Sequence, residues 1–486
     1  MPVTRQMAIS NLIWRFLERT GAQLVQFVVS IVLARVLLPE DYGTVALIAV
    51  FITILNVFVD SGLGSALVQK KDADNIDFST VFFTNVFFCL VLYTLLFFVA
   101  PFIAKFYNNL QLVPIIRVLG ITILISSVKN IQQAYVSKTL QFKKFFLATL
   151  IGTVFAAVVG IYMAYHGFGI WALVTQQLVN AGIDTIVLWI TVRWRPNFVF
   201  SFSRLKSLFS FGWKMLVSAL IEVLYRNLRQ LIIGKKYTKE DLAFYNRGEQ
   251  FPVIIVSNIN NSIDSVLFPT MSSEQDNTKR VKEITRRSIK TAVFLIAPLM
   301  LGLAACAPTI VHLILTDKWN SCIPYLRIFC ITYLFYPIHA ANLTAIKALG
   351  RSDLFLKLEV IKKIVGLAIL LTSMWFGVFV MACCMIFQDV LAQIINSYPN
   401  KKLLNYSYLE QLKDILPSIL IAVFMACVVS LLNLMAMNSL IRLVLQILIG
   451  ALIYIWLSYL FKIESFSYMI SIIKDYKRKK QENKDE

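Results

Sequence analysis

Windows of about 20 residues almost free of charge recur along the whole chain, each long enough to cross roughly 30 Å of hydrocarbon at about 1.5 Å per residue. Composition agrees: 58% of the 486 residues are hydrophobic and 15% charged, against roughly 45–50% apolar in a soluble domain. A soluble fold is excluded, and the sequence lacks the short alternating segments of a membrane β-barrel. Hydropathy places spans at 11–37, 42–68, 78–104, 112–137, 145–165, 168–192, 211–234, 249–272, 289–315, 323–349, 355–377, 379–398, 414–434 and 439–461. The expected fold class is therefore an all-α polytopic membrane protein of about 14 transmembrane helices. The connections are too short to bury a core of their own.

Lys and Arg number 47 against 27 acidic residues, an excess that suits either nucleic acid or a membrane surface. Position decides. With the N-terminus in the cytoplasm, roughly 32 basic residues fall inside, 9 outside and 6 within spans. The inside set includes Arg193, Arg195, Arg204 and Lys206; Lys279, Arg280, Lys282, Arg286 and Arg287; and Lys477, Arg478, Lys479 and Lys480. The excess is thus topological: both termini are expected in the cytoplasm, the basic tail against anionic headgroups, and no nucleic acid as partner.

An offset of about 200 residues aligns Leu33–Tyr42 with Ile233–Leu242, with Glu40-Asp41 over Glu240-Asp241, a repeat signal. Asp60-Ser61 then meets Asn260-Asn261, and Lys138–Phe142 sits where Lys347–Arg351 recurs. The expected organisation is two pseudo-symmetric six-helix lobes, residues 1–210 and 211–400, followed by two additional helices and a basic tail in 401–486. Parallel repeats of this kind place a substrate site between lobes and work by rocking.

Ionisable groups inside a span cost roughly 2.5–3.5 kcal/mol and usually face a bundle interior or water. In the first span Arg15, Glu18, Arg19, Gln23, Gln26 and Ser30 recur at helical spacing. The seventh repeats the device with Ser218, Glu222, Arg226, Arg229 and Gln230. The two stripes are net cationic, and guanidinium forks match phosphate oxygens. Arg15, Arg19, Arg226, Arg229, Glu18, Glu222 and Gln26 are therefore candidate substrate-binding residues. The competing reading has Arg15 and Arg19 snorkelling to headgroups. Asp60 and Asp264 are candidates for a coupling ion or proton, or for pairing with a nearby Arg; Arg117, Lys129, Asp184 and Asp389 are further intramembrane charges. Asp60 opens Asp60-Ser61-Gly62-Leu63-Gly64-Ser65, whose glycines break or bend the second span. The seven cysteines read as small apolar residues. Three scattered histidines, no P-loop and no GxSxG point to no metal, no cofactor and no enzyme.

Leu37-Leu38-Pro39-Glu40-Asp41-Tyr42-Gly43, Asp60-Ser61-Gly62-Leu63-Gly64-Ser65-Ala66-Leu67, Gly169-Ile170-Trp171-Ala172-Leu173-Val174-Thr175-Gln176-Gln177 and Ala348-Leu349-Gly350-Arg351-Ser352-Asp353 resemble the polysaccharide transporter family. Lys239–Arg247 resembles its second-lobe motif, with Ala243 where glycine is more usual. That family belongs to the multidrug, oligosaccharidyl-lipid and polysaccharide exporter superfamily. The resemblance implies a flippase of the bacterial inner membrane for undecaprenyl-pyrophosphate-linked O-antigen, capsule or exopolysaccharide units. It also implies a cationic central cavity, with membrane lipids, a polysaccharide polymerase and glycosyltransferases as partners. Two alternatives stay open: a cation-coupled multidrug exporter of the same superfamily, and a membrane-embedded glycan polymerase or ligase.

Overall fold

The computed structural model describes the backbone of residues 5–60, 62–70 and 72–471, and their side chains except at residues 5–20, 60, 211, 261, 262 and 264–266. The α-helices in chain order are α1 (Arg5–Val36), α2 (Pro39–Asp60), α3 (Leu63–Gln69), α4 (Asn75–Phe106), α5 (Leu112–Lys138), α6 (Phe142–Tyr165), α7 (Ile170–Thr191) and α8 (Phe202–Lys236). They continue with α9 (Lys239–Ser273), α10 (Thr278–Ile310), α11 (Ile323–Leu334), α12 (Tyr336–Ala348), α13 (Ser352–Ser373), α14 (Val378–Leu403), α15 (Tyr408–Leu431) and α16 (Ser439–Leu460).

Among the described residues ten helices are long and apolar enough to cross a membrane: α2, α4, α5, α6, α7, α10 with its final turn, α11 joined to α12, α14, α15 and α16. An eleventh is α8, if its segments Phe202–Ser210 and Gly212–Lys236, bent by 47°, count as one span. The expected count of about 14 exceeds this by α1, α9 and α13. The apolar stretch of α9 runs over residues 261, 262 and 264–266, whose side chains lie outside the described residues, and Lys357, Glu359, Lys362 and Lys363 dilute the apolar window of α13. Of α1, only the short apolar stretch Gly21–Val36 registers.

The chain divides into two compact units, Met1–Ala243 and Phe244–Glu486. Helix α8, expected to open a second lobe, packs on α2, α3 and α4 of the first unit. Lipid is as apolar as leucine, so helices associate in it through close backbone approach. On α6 that role falls to Ala148, Gly152, Ala156, Gly160 and Ala164, all buried at intervals of four residues. A Cβ on Gly152 would sit 3.1 Å from Asn180 O, and one on Gly160 3.0 Å from Gln176 Cβ, which explains why α6 and α7 lie so close. In the second unit α10 packs against α11, α12, α15 and α16.

Helix ends recur at the repeat spacing. Helices α1 and α8 stop at Val36 and Lys236, and α2 and α9 start at Pro39 and Lys239. In both turns an aspartate accepts from the backbone three residues earlier: Leu38 N to Asp41 Oδ2 at 3.4 Å, and Thr238 N to Asp241 Oδ2 at 3.3 Å. The α5–α6 and α12–α13 turns also match, but in the register that pairs Leu140 (φ 56°) with Gly350 (φ 72°), one residue away from the pairing expected from sequence. The second span breaks, as its glycines suggest, at Gly62, whose φ of 67° suits glycine.

The connection from α7 to α8 is fastened to the start of α4. Trp194 Nε1 donates to Asn75 Oδ1 at 2.6 Å, Asn197 N to Ser79 Oγ at 3.0 Å and Ser201 N to Thr80 Oγ1 at 3.1 Å. Asp74 caps α4 by accepting from Asp77 N at 3.0 Å, and it pairs with Arg204 at 2.5 Å. The backbone bond first, and the guanidinium second, hold its carboxyl at about 2 instead of 3.8. A depressed folded pKa stabilises above the unfolded value and loses that contribution as pH falls through the folded one. We expect the melting temperature of wild type to exceed that of Asp74→Asn at neutral pH, and the gap to close from about pH 4 down to about 2. Asparagine keeps the cap, so the gap reports the charge alone. A gap constant with pH contradicts the assignment.

Candidate functional site

Helix α8 is held against its unit at three levels. At its start Arg204 pairs with Asp74 and, at 3.3 Å, with Asp77, which is fully buried and also binds Lys70 at 2.7 Å. At the bend, Gly62 lies so near Gly212 that a Cβ would meet Gly212 O at 2.4 Å. Toward its end Tyr107 Oη donates to Leu231 O at 3.4 Å, and the Lys235 ammonium lies 4.3 Å from the Phe106 ring centroid.

These anchors orient the rest of the helix, and burial resolves it into three faces. Gly212, Leu216, Leu220, Val223, Asn227 and Gly234 form the packed face. Trp213, Val217, Ile221 and Leu224 are exposed and apolar. Lys214, Ser218, Glu222, Tyr225, Arg226 and Arg229 follow on the remaining side, exposed or half-buried. At roughly 100° per residue the faces centre near 40°, 140° and 250° around the axis. The apolar exposed face suits lipid; the third face, with three cations and one acid, does not. Arg226 lies roughly 21 Å along the helix from Gly212 and 15 Å from Lys236, so it is well inside the segment Gly212–Lys236 of this candidate span. Its side chain is 73% exposed and its Nη2 reaches Glu222 Oε1 at 3.4 Å, with Glu222 46% exposed. A charge so placed needs water beside it. The arrangement can hold an anion through the Arg226 and Arg229 guanidinium groups, with Glu222 orienting Arg226.

On α1, Gln26 is exposed next to the packed face of Ala22, Val29 and Leu33. The side chains of Arg15, Glu18, Arg19, Asp60 and Asp264 lie outside the described residues. Lys129 and Asp184 pair with each other at 3.1 Å across α5 and α7. Arg117 packs over Phe97, 3.9 Å from the ring centroid. Asp389 on α14 lies within electrostatic reach of Tyr333, whose hydroxyl donates to Glu249 Oε1 at 2.8 Å. Glu249 and Tyr333 were missed by sequence reading, since their association joins α9 to α11 across 84 residues.

Long apolar helices and an unpacked charged face define an integral membrane protein that keeps polar surface at bilayer depth. Residues 32–324 match the family model described as "Polysaccharide biosynthesis protein", and the chain belongs to that family. It is 25% identical over 359 residues to a teichuronic acid biosynthesis protein of Bacillus subtilis, covering 73% of this chain and 74% of that one. It is 24% identical over 369 residues to a lipopolysaccharide biosynthesis protein of Escherichia coli, covering 74% and 73%, and 24% over 330 residues to a succinoglycan biosynthesis transport protein of Rhizobium meliloti, covering 68% and 67%. Its fold is similar to that of a lipid II flippase in an inward closed conformation, with a TM-score of 0.75 at 14% identity over 93% of this chain and 98% of the other. A multidrug resistance transporter of the MOP superfamily, inward-facing, has a TM-score of 0.62 at 16% identity, covering 79% of this chain and 94% of the other.

Proposed function

We propose that the protein carries a polyprenyl-pyrophosphate-linked oligosaccharide from the cytoplasmic to the outer leaflet of the bacterial inner membrane, by alternating access. The observation that supports this is the third face of α8, where charge stands exposed well inside a candidate span, apart from the apolar face. The stripe is net cationic, with Lys214, Arg226 and Arg229 against Glu222, and this favours a diphosphate over the organic cations that a drug exporter of the superfamily carries. The relatives' names, and a fold neighbour named for flipping lipid II, support a lipid-linked glycan as substrate.

In this reading α1, α9 and α13 also span, giving about 14 spans in two six-helix lobes, residues 1–210 and 211–400, with α15 and α16 appended. The basic ends, including Lys401, Lys402 and Arg286, lie in the cytoplasm with both termini. Arg226 and Arg229 bind the diphosphate, Arg15, Arg19, Glu18 and Gln26 receive it, Glu222 orients Arg226, and the polyprenyl tail stays in lipid. Asp60 and Asp264 are the proposed coupling-ion positions.

In a strain lacking the chromosomal copy, Arg226→Ala and Arg229→Ala are expected to insert normally and to lose about tenfold to a hundredfold in outward translocation, the worth of one or two charge-assisted hydrogen bonds. Repeat units on the polyprenyl carrier then collect on the cytoplasmic leaflet. Normal translocation by both variants would falsify the phosphate clamp.

A further inference from the structure

The chain turns back at the end of α16. Lys462 takes a φ of 48°, Ile463 N donates to Ser458 O at 3.0 Å, and residues 464–471 form a short helix. That helix is tied to α10: Lys290 pairs with Glu464, and the Phe466 ring lies 6.2 Å from that of Phe294. Between α10, α16 and the short helix runs an open cleft of about 330 Å³. Its walls include Pro298 and Leu299 of α10, Ile455 of α16, and Phe466, Met469 and Ile470. Pro298 helps to shape it. A proline offers no N–H to the carbonyl four residues back, and Phe294 O accepts instead from Tyr454 Oη at 2.8 Å. That bond engages the one polar side chain in the lining. Water gains nothing in such a place, whereas a hydrocarbon chain makes the van der Waals contacts that a void forfeits.

One end of the cleft is charged. Arg287, Thr291, Leu295 and Pro298 recur at steps of four, four and three on one face of α10, with Arg287 roughly 12 Å before Leu295. The cations around it are engaged by carboxylates: Arg280 by Glu283 at 3.1 Å, Lys282 by Glu410 at 3.3 Å, Arg286 by Asp414 at 2.6 Å, and Lys290 by Glu464. Arg287 has no such partner among the described residues. It is exposed, and its guanidinium carbon lies 4.8 Å from the ring centroid of Tyr468, next in sequence to Met469 of the wall. A cation held over a ring keeps N–H donors for an anion.

We propose that this cleft binds an anionic phospholipid, with one acyl chain lying between α10 and α16 and the phosphate on Arg287. The single charge of a phosphodiester matches a single guanidinium. The sequence that follows has the same preference: in residues 472–486, Lys474, Lys477, Arg478, Lys479, Lys480 and Lys484 stand against Asp475, Glu482, Asp485 and Glu486, and a basic segment is drawn to anionic headgroups. Because the short helix supplies both Tyr468 and part of the wall, the bound lipid fastens it to α10 and α16. Only the assignment of this lipid to the cytoplasmic leaflet rests on the topology proposed above; the site itself does not depend on the transport reading.

The full chain in detergent is titrated with palmitoyl-oleoyl phosphatidylglycerol or phosphatidylcholine, and bound lipid is counted by native mass spectrometry. Arg287→Ala is expected to weaken binding of the first phosphatidylglycerol about tenfold, the worth of one charge-assisted hydrogen bond, and to leave phosphatidylcholine unchanged. Arg280→Ala removes the same charge two turns farther from the cleft, and is expected to change neither. Leu299→Trp and Ile455→Trp fill the cleft from opposite walls, at positions exposed enough to keep the indole out of the core. Each is expected to weaken both lipids about tenfold, and the second variant serves if the first fails to fold. If Arg287→Ala loses no more phosphatidylglycerol than Arg280→Ala, or if the tryptophan variants bind it as wild type does, the site is overturned. Undecaprenyl phosphate is the third arm. Binding about tenfold tighter than phosphatidylglycerol, with the same sensitivity to these variants, would give the cleft to a polyprenyl carrier and overturn the phospholipid assignment.

Discussion

Gly43→Val is expected to separate the α1–α2 and α8–α9 turns and to abolish translocation. A Cβ on Gly43 would lie 1.8 Å from Lys239 O and 2.6 Å from the carbon that bears it. Both obstacles are backbone, so no side-chain rotation relieves them, and one turn must move by well over an ångström. The ion pair closing the same contact, Lys239 Nζ to Glu40 Oε1 at 2.8 Å, cannot survive that movement. These are the two repeat-equivalent turns, each built on an aspartate five residues past the end of the preceding helix. In the alternating-access cycle proposed above, these turns meet in one state and part in the other. A short bis-methanethiosulfonate linker between Glu40→Cys and Lys239→Cys reads the contact. The yield is expected to fall at least tenfold when Gly43→Val is added, and equal yield would show that the turns do not meet through this glycine.

The parts of this protein legible from sequence are those written locally. Charge-free windows declare spans wherever they occur, and an aspartate after a helix end builds the same turn at Asp41 and at Asp241. The packing of α8 on α2, α3 and α4 could not be read that way. It depends on Gly62 meeting Gly212, two residues 150 positions apart whose only local signature is a missing side chain. Nor did hydropathy reveal the buried polar column that Gln393, Asn396, Ser397 and Asn400 form on α14, because they carry no charge and sit among apolar residues. Their recurrence at three and four was the available signal, and it becomes meaningful only with Asn342 of α12 and Gln411 of α15 in place. The break at Phe335 between α11 and α12, by contrast, has a local signal, since Pro337 suits the first turn of a helix and lacks the N–H that a continuing helix would use.

Intramembrane charge was expected to mark either transport chemistry or structural pairing, and Lys129 with Asp184 allows the two to be separated. The pair is 3.1 Å apart with side chains only 19% and 13% exposed. Asn130, next to Lys129, donates to Val59 O at 2.9 Å near the end of α2, and a Cβ on Gly152 would fall 3.1 Å from Asp184 N. Helices α2, α5, α6 and α7 therefore converge around the pair, with little room for a ligand. Removing one partner strands the other charge in an apolar interior, at about 3–5 kcal/mol, whereas replacing both with apolar residues of similar size is often close to neutral. Asp184→Leu is expected to lose about 3 kcal/mol of unfolding free energy in detergent. The Lys129→Met/Asp184→Leu double variant should recover most of that loss and translocate glycan at close to the wild-type rate. A double variant that is stable but inert would move this pair from the scaffold into the transport machinery, and one as unstable as the single variant would show that the ions stabilise more than each other.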